Sequence, residues 1–266
     1  MSQAKNKKHG QPKAQRGDFT GISKKFARNI YDSTKGRLRM AVLKRDLLPL
    51  IDGPKRTVLD VGAGLGQVNE WFLAQGHHLI HTDISLEMVQ EAQQRHEQLS
   101  LGRFAQYIAA PLNELPSQLP GQQFSLILCH AMLEWVEDGQ QAIRQLSELL
   151  KPGGVLSLMF YNRNAQLMAN AVYGNFDYIA RGLKVKKTVR LSPQTPHDPE
   201  QVLSWLKQTG LNVTQQTGVR CFHDYLRDIE DQQRFDELLE LELKYNQQSP
   251  FKELGRYQHW LIEKPV

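Results

Sequence analysis

The chain has 266 residues and a net charge of +5, with 40% hydrophobic and 23% charged residues, a composition typical of a globular protein of one or two domains. No run of 18 apolar residues occurs, which excludes a membrane-spanning helix, and the first 16 residues lack an apolar core, so we expect no secretory signal. The two cysteines, Cys129 and Cys221, lie far apart, which excludes a disulfide framework and a cysteine-rich zinc site and favours the reducing cytoplasm.

The chain begins with a basic tail. Residues 1–16 hold five Lys or Arg and no acid, and the remaining chain is balanced, with 33 − 5 = 28 bases against 28 acids. We expect residues 1–18 to be disordered and residues 19–266 to form one domain. A second basic segment, residues 181–190, holds five bases and no acid. A polyanion such as RNA could dock on these segments, and the alternative is that both are merely solvated.

Helices and strands alternate over the next part of the chain. The spacing of apolar residues predicts a helical segment over 19–50, and short apolar runs bounded by turn residues predict strands. The predicted strands are 57–62, 78–83, 103–109, 124–130 and 155–162, and the predicted helices between them are 66–75, 86–98 and 139–150. Strands that alternate with helices of this length indicate a parallel sheet with crossover helices.

The pattern changes after residue 162. The remaining predicted elements are an irregular segment 163–198, a helix 199–209, a strand 211–219, a long acidic helix 224–247 and a closing strand 255–264. We therefore expect an α/β fold: a doubly wound, mostly parallel, seven-stranded Rossmann-like sheet with a helical N-terminal segment and an insertion after the fifth strand (162–198) that shapes the substrate site. The acidic helix should form a solvated outer face.

A glycine-rich turn gives the first chemical indication. The run Gly62-Ala63-Gly64-Leu65-Gly66 joins a strand to a helix, where residues without side chains let the backbone approach a ligand closely. The dinucleotide fingerprint would require glycine at position 67, which is Gln67, so an NAD-dependent oxidoreductase is disfavoured. The spacing G-x-G-x-G resembles the cofactor loop of class I S-adenosylmethionine (SAM) methyltransferases.

Three further segments extend this hypothesis. Asp83 ends the second predicted strand, where a carboxylate can accept hydrogen bonds from ribose hydroxyls, although an N-cap role is the alternative. Asp60 is either structural or a partner of the glycine-loop amides or the methionyl amine. The turn Pro111–Glu114 follows the third strand and can contact adenine. Cys129 lies within an apolar strand and is expected in the core, so a nucleophilic thiol is not expected.

Strings spread along the whole chain resemble one bacterial family. They are FARNIYDSTKGRLR (26–39), VLDVGAGLGQ (58–67), HAMLEWV (130–136), GGVLSLMFYN (153–162), GNFDYI (174–179), RLSPQTPHDP (190–199), FHDYLRD (222–228) and LGRYQHW (254–260). The chain resembles the tRNA 5-carboxymethoxyuridine methyltransferases over about residues 19–264. This resemblance implies a cytoplasmic, SAM-dependent enzyme that esterifies the carboxylate of that modified wobble uridine, with the tRNA anticodon stem-loop as its partner.

The resemblance also implies which residues contact the cofactor. Carried over by position, with the glycine loop, the SAM-binding residues are Arg39, Gly62, Ala63, Gly64, Asp83, Leu112, Asn113 and His130. Arg39 would pair with the methionyl carboxylate in a bidentate geometry that lysine cannot reproduce.

Other residues are expected to meet the substrate because they lie where the carboxyl ends of the strands open. The candidate substrate-binding residues are Tyr31, Lys35, Tyr161, Asn162, Arg220, His223 and Tyr225, and the candidate contacts to RNA phosphates are Lys184, Lys186, Lys187 and Arg190. No catalytic residue and no metal are expected, because a carboxylate with a pKa of about 4 is already ionised at pH 7 and needs no base. The residues leave the oligomeric state open.

Two alternatives remain at this level. A SAM-dependent enzyme of the same fold could methylate a small-molecule carboxylate or hydroxyl, although a small metabolite needs no spread of positive charge. A non-catalytic RNA-binding module with a degenerate cofactor loop is disfavoured by the intact glycines and by Asp83.

Overall fold

The computed structural model describes residues 33–183 and 195–266. Within these ranges the strands are β1 (Thr57–Val61), β2 (His78–Asp83), β3 (Ala105–Ala109), β4 (Phe124–His130), β5 (Leu150–Tyr161), β6 (Asn212–Val219) and β7 (Tyr257–Glu263). The helices are α1 (Thr34–Ile51), α2 (Gln67–Ala74), α3 (Leu86–Gln98), α4 (Leu115–Gln118), α5 (Gly139–Leu149), α6 (Arg163–Val172), α7 (Phe176–Ala180), α8 (Pro199–Gln208) and α9 (Phe235–Tyr245).

The described strands form one seven-stranded sheet in the order β3-β2-β1-β4-β5-β7-β6. Strand β1 is parallel to its neighbours β2 and β4, β2 is parallel to β3, and β4 is parallel to β5. Strand β7 runs antiparallel to both of its neighbours, β5 and β6. The predicted doubly wound, mostly parallel sheet is therefore confirmed. The chain order reverses between β1 and β4, and in such sheets the carboxyl ends of the strands at the reversal form the ligand crevice.

Both faces of the sheet are buried, as continuous apolar strands require. In β4, Leu126 and Leu128 face α1 and α2, whereas Ile127 and Cys129 face the opposite layer, which contains α5 and α8. Cys129 is fully buried in this core, and burial raises the pKa of its thiol. Among the described residues no helix is both long and apolar enough to span a bilayer.

The described part of the 163–198 segment is helical, so the expectation of irregular structure is wrong there. Asn162 caps α6 by accepting a hydrogen bond from the backbone N–H of Asn164 at 3.0 Å, and good helix formers follow. The short helix α7 comes next, and residues 184–194 lie outside the described ranges. The capping asparagine is the signal that the sequence analysis missed.

The predicted acidic helix 224–247 is also too long. The α-helix covers only Phe235–Tyr245, and the residues before it form short 3-10 turns. Asp228 accepts a hydrogen bond from the backbone N–H of Glu230 at 2.8 Å, a local bond that competes with helix formation. The expected solvated face is wrong in part as well, because the Glu242 carboxylate is buried and accepts the backbone N–H of Phe222 at 3.0 Å.

Candidate active site

The glycine loop closes tightly over the carboxyl ends of β1 and β4. Gly62 has φ +69°, and a Cβ atom there would lie 2.7 Å from Cγ of Met132, so a side chain at this position would meet both backbone strain and a clash. Gly66 has φ +71° and begins α2, and a Cβ atom there would lie 2.8 Å from the His96 ring. These glycines are therefore required by the turn that brings the loop backbone to the cavity.

Asp83 joins this loop to the end of β2. Its Oδ2 accepts the backbone N–H of Gly64 at 3.0 Å, and its Oδ1 accepts the backbone N–H of Ser85 at 2.9 Å. Each carboxylate oxygen has more than one acceptor position. Asp83 is buried within the fold and lines the cavity.

A cavity of about 470 Å³ opens at the point where the strand order reverses. Its lining includes most of the residues predicted to contact a cofactor: Arg39, Gly62, Ala63, Gly64, Asp83, Leu112 and His130. Asn113 is exposed on the turn after β3 and is not part of the lining, in contrast to its neighbour Leu112. The volume is within the range of small-molecule sites.

Two buried carboxyl groups change the electrostatics of this cavity. Burial, together with the neighbouring Asp83 charge, raises the pKa of Asp60 to about 8. Burial also raises the pKa of Glu134 to about 7, although the charge of Arg39 acts against this shift. Both groups line the cavity, and their pKa values lie close to pH 7. A cation in the cavity would therefore favour their ionised forms.

His130 enters the cavity from the end of β4. Burial, together with the nearby His259 and Arg39, lowers the pKa of the His130 imidazole well below its ordinary value, so the ring is neutral at pH 7. Its Nε2 is hydrogen-bonded to Oγ of Ser157 at 2.8 Å. Ser157 is buried and does not line the cavity, so this hydrogen bond holds the ring from the core of the sheet.

A second, polar cleft of about 630 Å³ adjoins this cavity. Lys35, Arg220 and Arg256 line both spaces, and Arg37 and His223 line the cleft alone. The cleft therefore carries several cationic groups at its junction with the cavity, an arrangement that suits an anionic ligand.

Arg220 and Arg256 are held at this junction by different contacts. Arg220 has φ +61°, an unusual backbone conformation for a side chain of this size, and is ion-paired with Asp224. Although burial opposes the shift, Arg220 and a hydrogen bond from His223 hold the pKa of Asp224 well below its ordinary value. The guanidinium of Arg256 lies 4.5 Å from the ring centroid of Tyr161. The charge of Arg220 is therefore paired with that of Asp224, whereas the guanidinium of Arg256 packs over the ring of Tyr161.

The predicted substrate-binding residues are only partly brought together. Lys35, Arg220 and His223 line the cleft, whereas Tyr161, Asn162 and Tyr225 do not line either space.

The three that do not line the cleft contact backbone or support its wall. The Asn162 amide donates to the carbonyls of Glu253 and Gly255 at 2.8 and 2.9 Å, and the Tyr225 hydroxyl donates to the carbonyl of Leu254 at 2.7 Å. Tyr161 lies beneath Arg256. The predicted Tyr31, Lys184, Lys186, Lys187 and Arg190 lie outside the described residues.

Sequence reasoning missed Arg256, Tyr257 and Glu134 as lining residues. Because β7 is antiparallel, its first residue lies at the edge where the parallel strands end. The string LGRYQHW contains both Arg256 and Tyr257, but the sequence does not show the direction of β7. Only that direction places the start of the strand, and not its end, at the cavity. Within residues 33–183 and 195–266, no group of three or more His, Cys, Asp or Glu side chains is arranged as metal ligands.

Known structures share this architecture. The magnesium protoporphyrin IX methyltransferase of Synechocystis, solved with bound SAH, aligns with a TM-score of 0.59 at 17% identity, covering 92% of this chain and 94% of that one. The plantazolicin methyltransferase aligns with a TM-score of 0.58 at 15% identity, covering 92% and 90%. At these identities the likeness is one of fold.

Sequence comparisons are more specific. The family described as "Methyltransferase domain" matches residues 59–158. The ubiquinone biosynthesis O-methyltransferase of Xanthomonas euvesicatoria is 33% identical over 168 residues, covering 61% of this chain and 65% of that protein. The tRNA 5-carboxymethoxyuridine methyltransferase of Escherichia coli K12 is 44% identical over 252 residues, covering 93% of this chain and 96% of that protein. The chain therefore belongs to the family of tRNA 5-carboxymethoxyuridine methyltransferases, on a class I methyltransferase fold.

Proposed function

We propose that the protein transfers the methyl group of SAM to the carboxylate of 5-carboxymethoxyuridine at the tRNA wobble position, forming the methyl ester 5-methoxycarbonylmethoxyuridine. The observation that carries this proposal is the 44% identity to the Escherichia coli enzyme over 252 residues. That match extends well beyond the 59–158 methyltransferase segment, and so includes the segments that form the polar cleft.

The cavity suits SAM by size and by the chemistry of its lining. Asp83 offers carboxylate oxygens for the ribose hydroxyls, and the loop residues Gly62–Gly64 bring backbone close to the ligand. Arg39 supplies a cation for the methionyl carboxylate, and the Asp60 carboxyl lines the same cavity. Leu112 provides an apolar surface for adenine.

Bound SAM supplies an electrophilic methyl group, so the protein has no proton to remove from a carboxylate that is already ionised at pH 7. The chain contributes by positioning the substrate. It must hold the attacking carboxylate oxygen about 3–3.5 Å from the methyl carbon, in line with the carbon–sulfur bond, and exclude water. Arg256 and Arg220 lie where the cavity meets the cleft, and the backbone N–H of Arg256 donates to the carbonyl of Arg220 at 3.2 Å. This bond ties the backbones of the two residues together.

The cleft offers further contacts for a single-stranded anticodon. Lys35 and Arg37 can meet phosphates, and Tyr173, which lines the cleft and is 58% exposed, offers a ring on which a base can stack. Phe176, three residues further along, is exposed as well. Exposed aromatic rings beside cations are the usual platform for unpaired nucleotides, and the tRNA anticodon loop presents such nucleotides.

The direct test incubates the purified protein and SAM with an anticodon stem-loop that carries 5-carboxymethoxyuridine, followed by mass spectrometry of the digested nucleosides. We expect the methyl ester to form on this RNA and not on a matched stem-loop with unmodified uridine. Equal methylation of the free nucleoside and of the stem-loop would favour the alternative, a methyltransferase of small-molecule carboxylates or hydroxyls. Absence of ester on every carboxylate tested would contradict the proposal.

A further inference from the structure

A chain of three hydrogen bonds runs from α1 through the sheet to the cavity. Oδ2 of Asp46 is bonded to Nδ1 of His259 at 2.7 Å, Nε2 of His259 to Oγ of Ser157 at 2.8 Å, and Oγ of Ser157 to Nε2 of His130 at 2.8 Å. We call these four residues the histidine relay. Only its last member, His130, lines the cavity.

The pairing of the strands puts the relay on one face of the sheet. Met159 of β5 pairs with His130 of β4 and with His259 of β7, and Ser157 lies two residues before Met159 on the same strand. Residues that pair across strands, or lie two apart along a strand, share a face. Ser157 and His259 are fully buried, and Asp46 is 4% exposed. Burying polar groups costs free energy unless they are hydrogen-bonded, and in the relay each pair of neighbouring groups is joined by a hydrogen bond.

The charge of Asp46 sets the direction of the hydrogen bonds. Although burial opposes the shift, His259 and Arg45 lower the pKa of Asp46, so the carboxylate is ionised and can only accept. His259 therefore donates through Nδ1–H, and when this ring carries only that proton its Nε2 accepts the Ser157 hydroxyl. The hydroxyl oxygen then accepts a hydrogen bond from Nε2–H of His130. Each donor points toward Asp46.

We infer that Asp46, His259 and Ser157 are positioning residues for the cofactor, which hold His130 as the tautomer protonated on Nε2 and leave Nδ1 as an acceptor for the cavity. Arg39 and His130 line the same cavity, so the two side chains can bind different parts of an amino-acid group. Arg39 suits its carboxylate, and Nδ1 of His130 suits its ammonium. This inference rests on the proposed function, because it assigns the ammonium to the methionyl part of SAM.

The Asp46–His259–Ser157 arrangement has the donor order of a hydrolytic triad, but it does not act as one. Ser157 is fully buried in the middle of β5 and lines neither the cavity nor the cleft, so no acyl group can reach its hydroxyl. Its oxygen is bonded to imidazole nitrogens on both sides. The arrangement therefore orients His130 instead of activating a nucleophile.

The test combines SAM affinity, measured by calorimetry, with ring 15N chemical shifts of His130, which distinguish protonated from unprotonated nitrogens. Ser157→Ala cuts the relay in its middle, and Asp46→Asn removes the charge that directs it, three bonds from the cavity. For the wild type we expect Nε2 protonated and Nδ1 unprotonated. In both variants we expect a mixture of tautomers and SAM affinity weakened roughly tenfold, the effect of losing one hydrogen bond to a charged group.

Two control variants separate positioning from folding. His77→Gln removes another fully buried histidine, which is bonded to the carbonyl of Ile51 at the opposite end of the sheet, and should lower the Tm without changing His130 shifts or SAM affinity. Ser157→Thr keeps the hydroxyl and should restore affinity to within about threefold of the wild type.

The outcomes are distinct. A wild-type His130 protonated on Nδ1 overturns the inference, and so does unchanged SAM affinity in both relay variants. If Ser157→Ala does not fold, the SAM affinity of Asp46→Asn and the His130 shifts of the wild type still test the inference. A wild-type protein that binds no SAM contradicts the proposed function, while the spectrum still tests the tautomer.

Discussion

The backbone N–H of Gly64 donates a hydrogen bond to Oδ2 of Asp83 at 3.0 Å, and this bond links the glycine loop after β1 to the end of β2. The loop and the carboxylate that face the cavity are therefore one unit. A ligand that bonds to Asp83 also meets a loop that is already in place, so little ordering remains to be done on binding.

Asp83→Asn should weaken SAM binding by about 10- to 100-fold, as measured by calorimetry. The amide retains one acceptor oxygen, but it loses the charge that strengthens the bond from the Gly64 N–H and that would strengthen bonds from ribose hydroxyls. Asp52→Asn, at the exposed end of α1, is the matched control and should leave SAM affinity unchanged. Equal affinities for all three proteins would remove Asp83 from the site.

Arg39→Ala should weaken SAM binding by roughly 2–3 kcal/mol, since a charge pair between a guanidinium that lines the cavity and the methionyl carboxylate would be lost. Arg39→Lys should recover only part of this loss, because an ammonium cannot reproduce the bidentate geometry of a guanidinium. Arg144→Ala, on the exposed face of α5, serves as the control. Full recovery by lysine would indicate that only charge matters at this position.

The pKa of Asp60 predicts a pH dependence of stability with a definite sign. Its folded-state pKa is raised to about 8, whereas an aspartate in the unfolded chain titrates near about 4. Between these values the folded protein holds a proton that the unfolded chain has released, so this group's contribution to the free energy of unfolding falls as pH rises through that window.

Asp60→Asn has no proton to lose and should flatten this decline, making the variant more stable than the wild type above about pH 8. Urea denaturation at several pH values measures the two slopes, and the comparison isolates Asp60 because other titrating groups are common to both proteins. Parallel curves would show that the Asp60 carboxyl is already ionised in the folded protein at neutral pH.

Arg256→Ala should raise the KM for the modified stem-loop by about tenfold while leaving SAM affinity unchanged, because the guanidinium lies at the junction with the cleft. Arg103→Ala, exposed at the amino-terminal side of β3, is the control. A loss of SAM affinity as large as the change in KM would assign Arg256 to the cofactor instead of the RNA.

Reversing Lys184, Lys186 and Lys187 to Glu tests a segment that lies outside the described residues. If these side chains meet anticodon-stem phosphates, the triple variant should bind tRNA more weakly, with a shallower dependence of affinity on salt, and should bind SAM normally. RNA affinity measured at two salt concentrations checks this. Unchanged affinity at both would remove the segment from the RNA interface.

Local sequence patterns predicted the sheet and most of the residues that line the cavity at its edge. The glycine loop and Asp83 follow strands whose apolar runs are visible in the chain, and parallel strands bring their carboxyl ends to one edge. The lining of the cleft depends on the direction of the strands and the orientation of the side chains, which are tertiary properties. Arg256 was missed because β7 is antiparallel, and Asn162 was assigned to substrate although its amide bonds to the backbone of a distant turn.

The histidine relay was beyond sequence reasoning for the same reason. His130 was predicted from the family resemblance, but Asp46, Ser157 and His259 lie on α1, β5 and β7 and meet only because these elements pack on one face of the sheet. Nothing in the spacing of these residues along the chain indicates the contact.

This chain is expected to transfer the methyl group of SAM to the carboxylate of a wobble nucleoside, and mass spectrometry of wobble nucleosides from cells with and without the gene measures that reaction in the cell. In the deletion the methyl ester should disappear and 5-carboxymethoxyuridine should accumulate in its place. The wild-type gene should restore the ester, and the Asp83→Asn gene should restore it poorly. An unchanged level of ester in the deletion would show that another enzyme makes it.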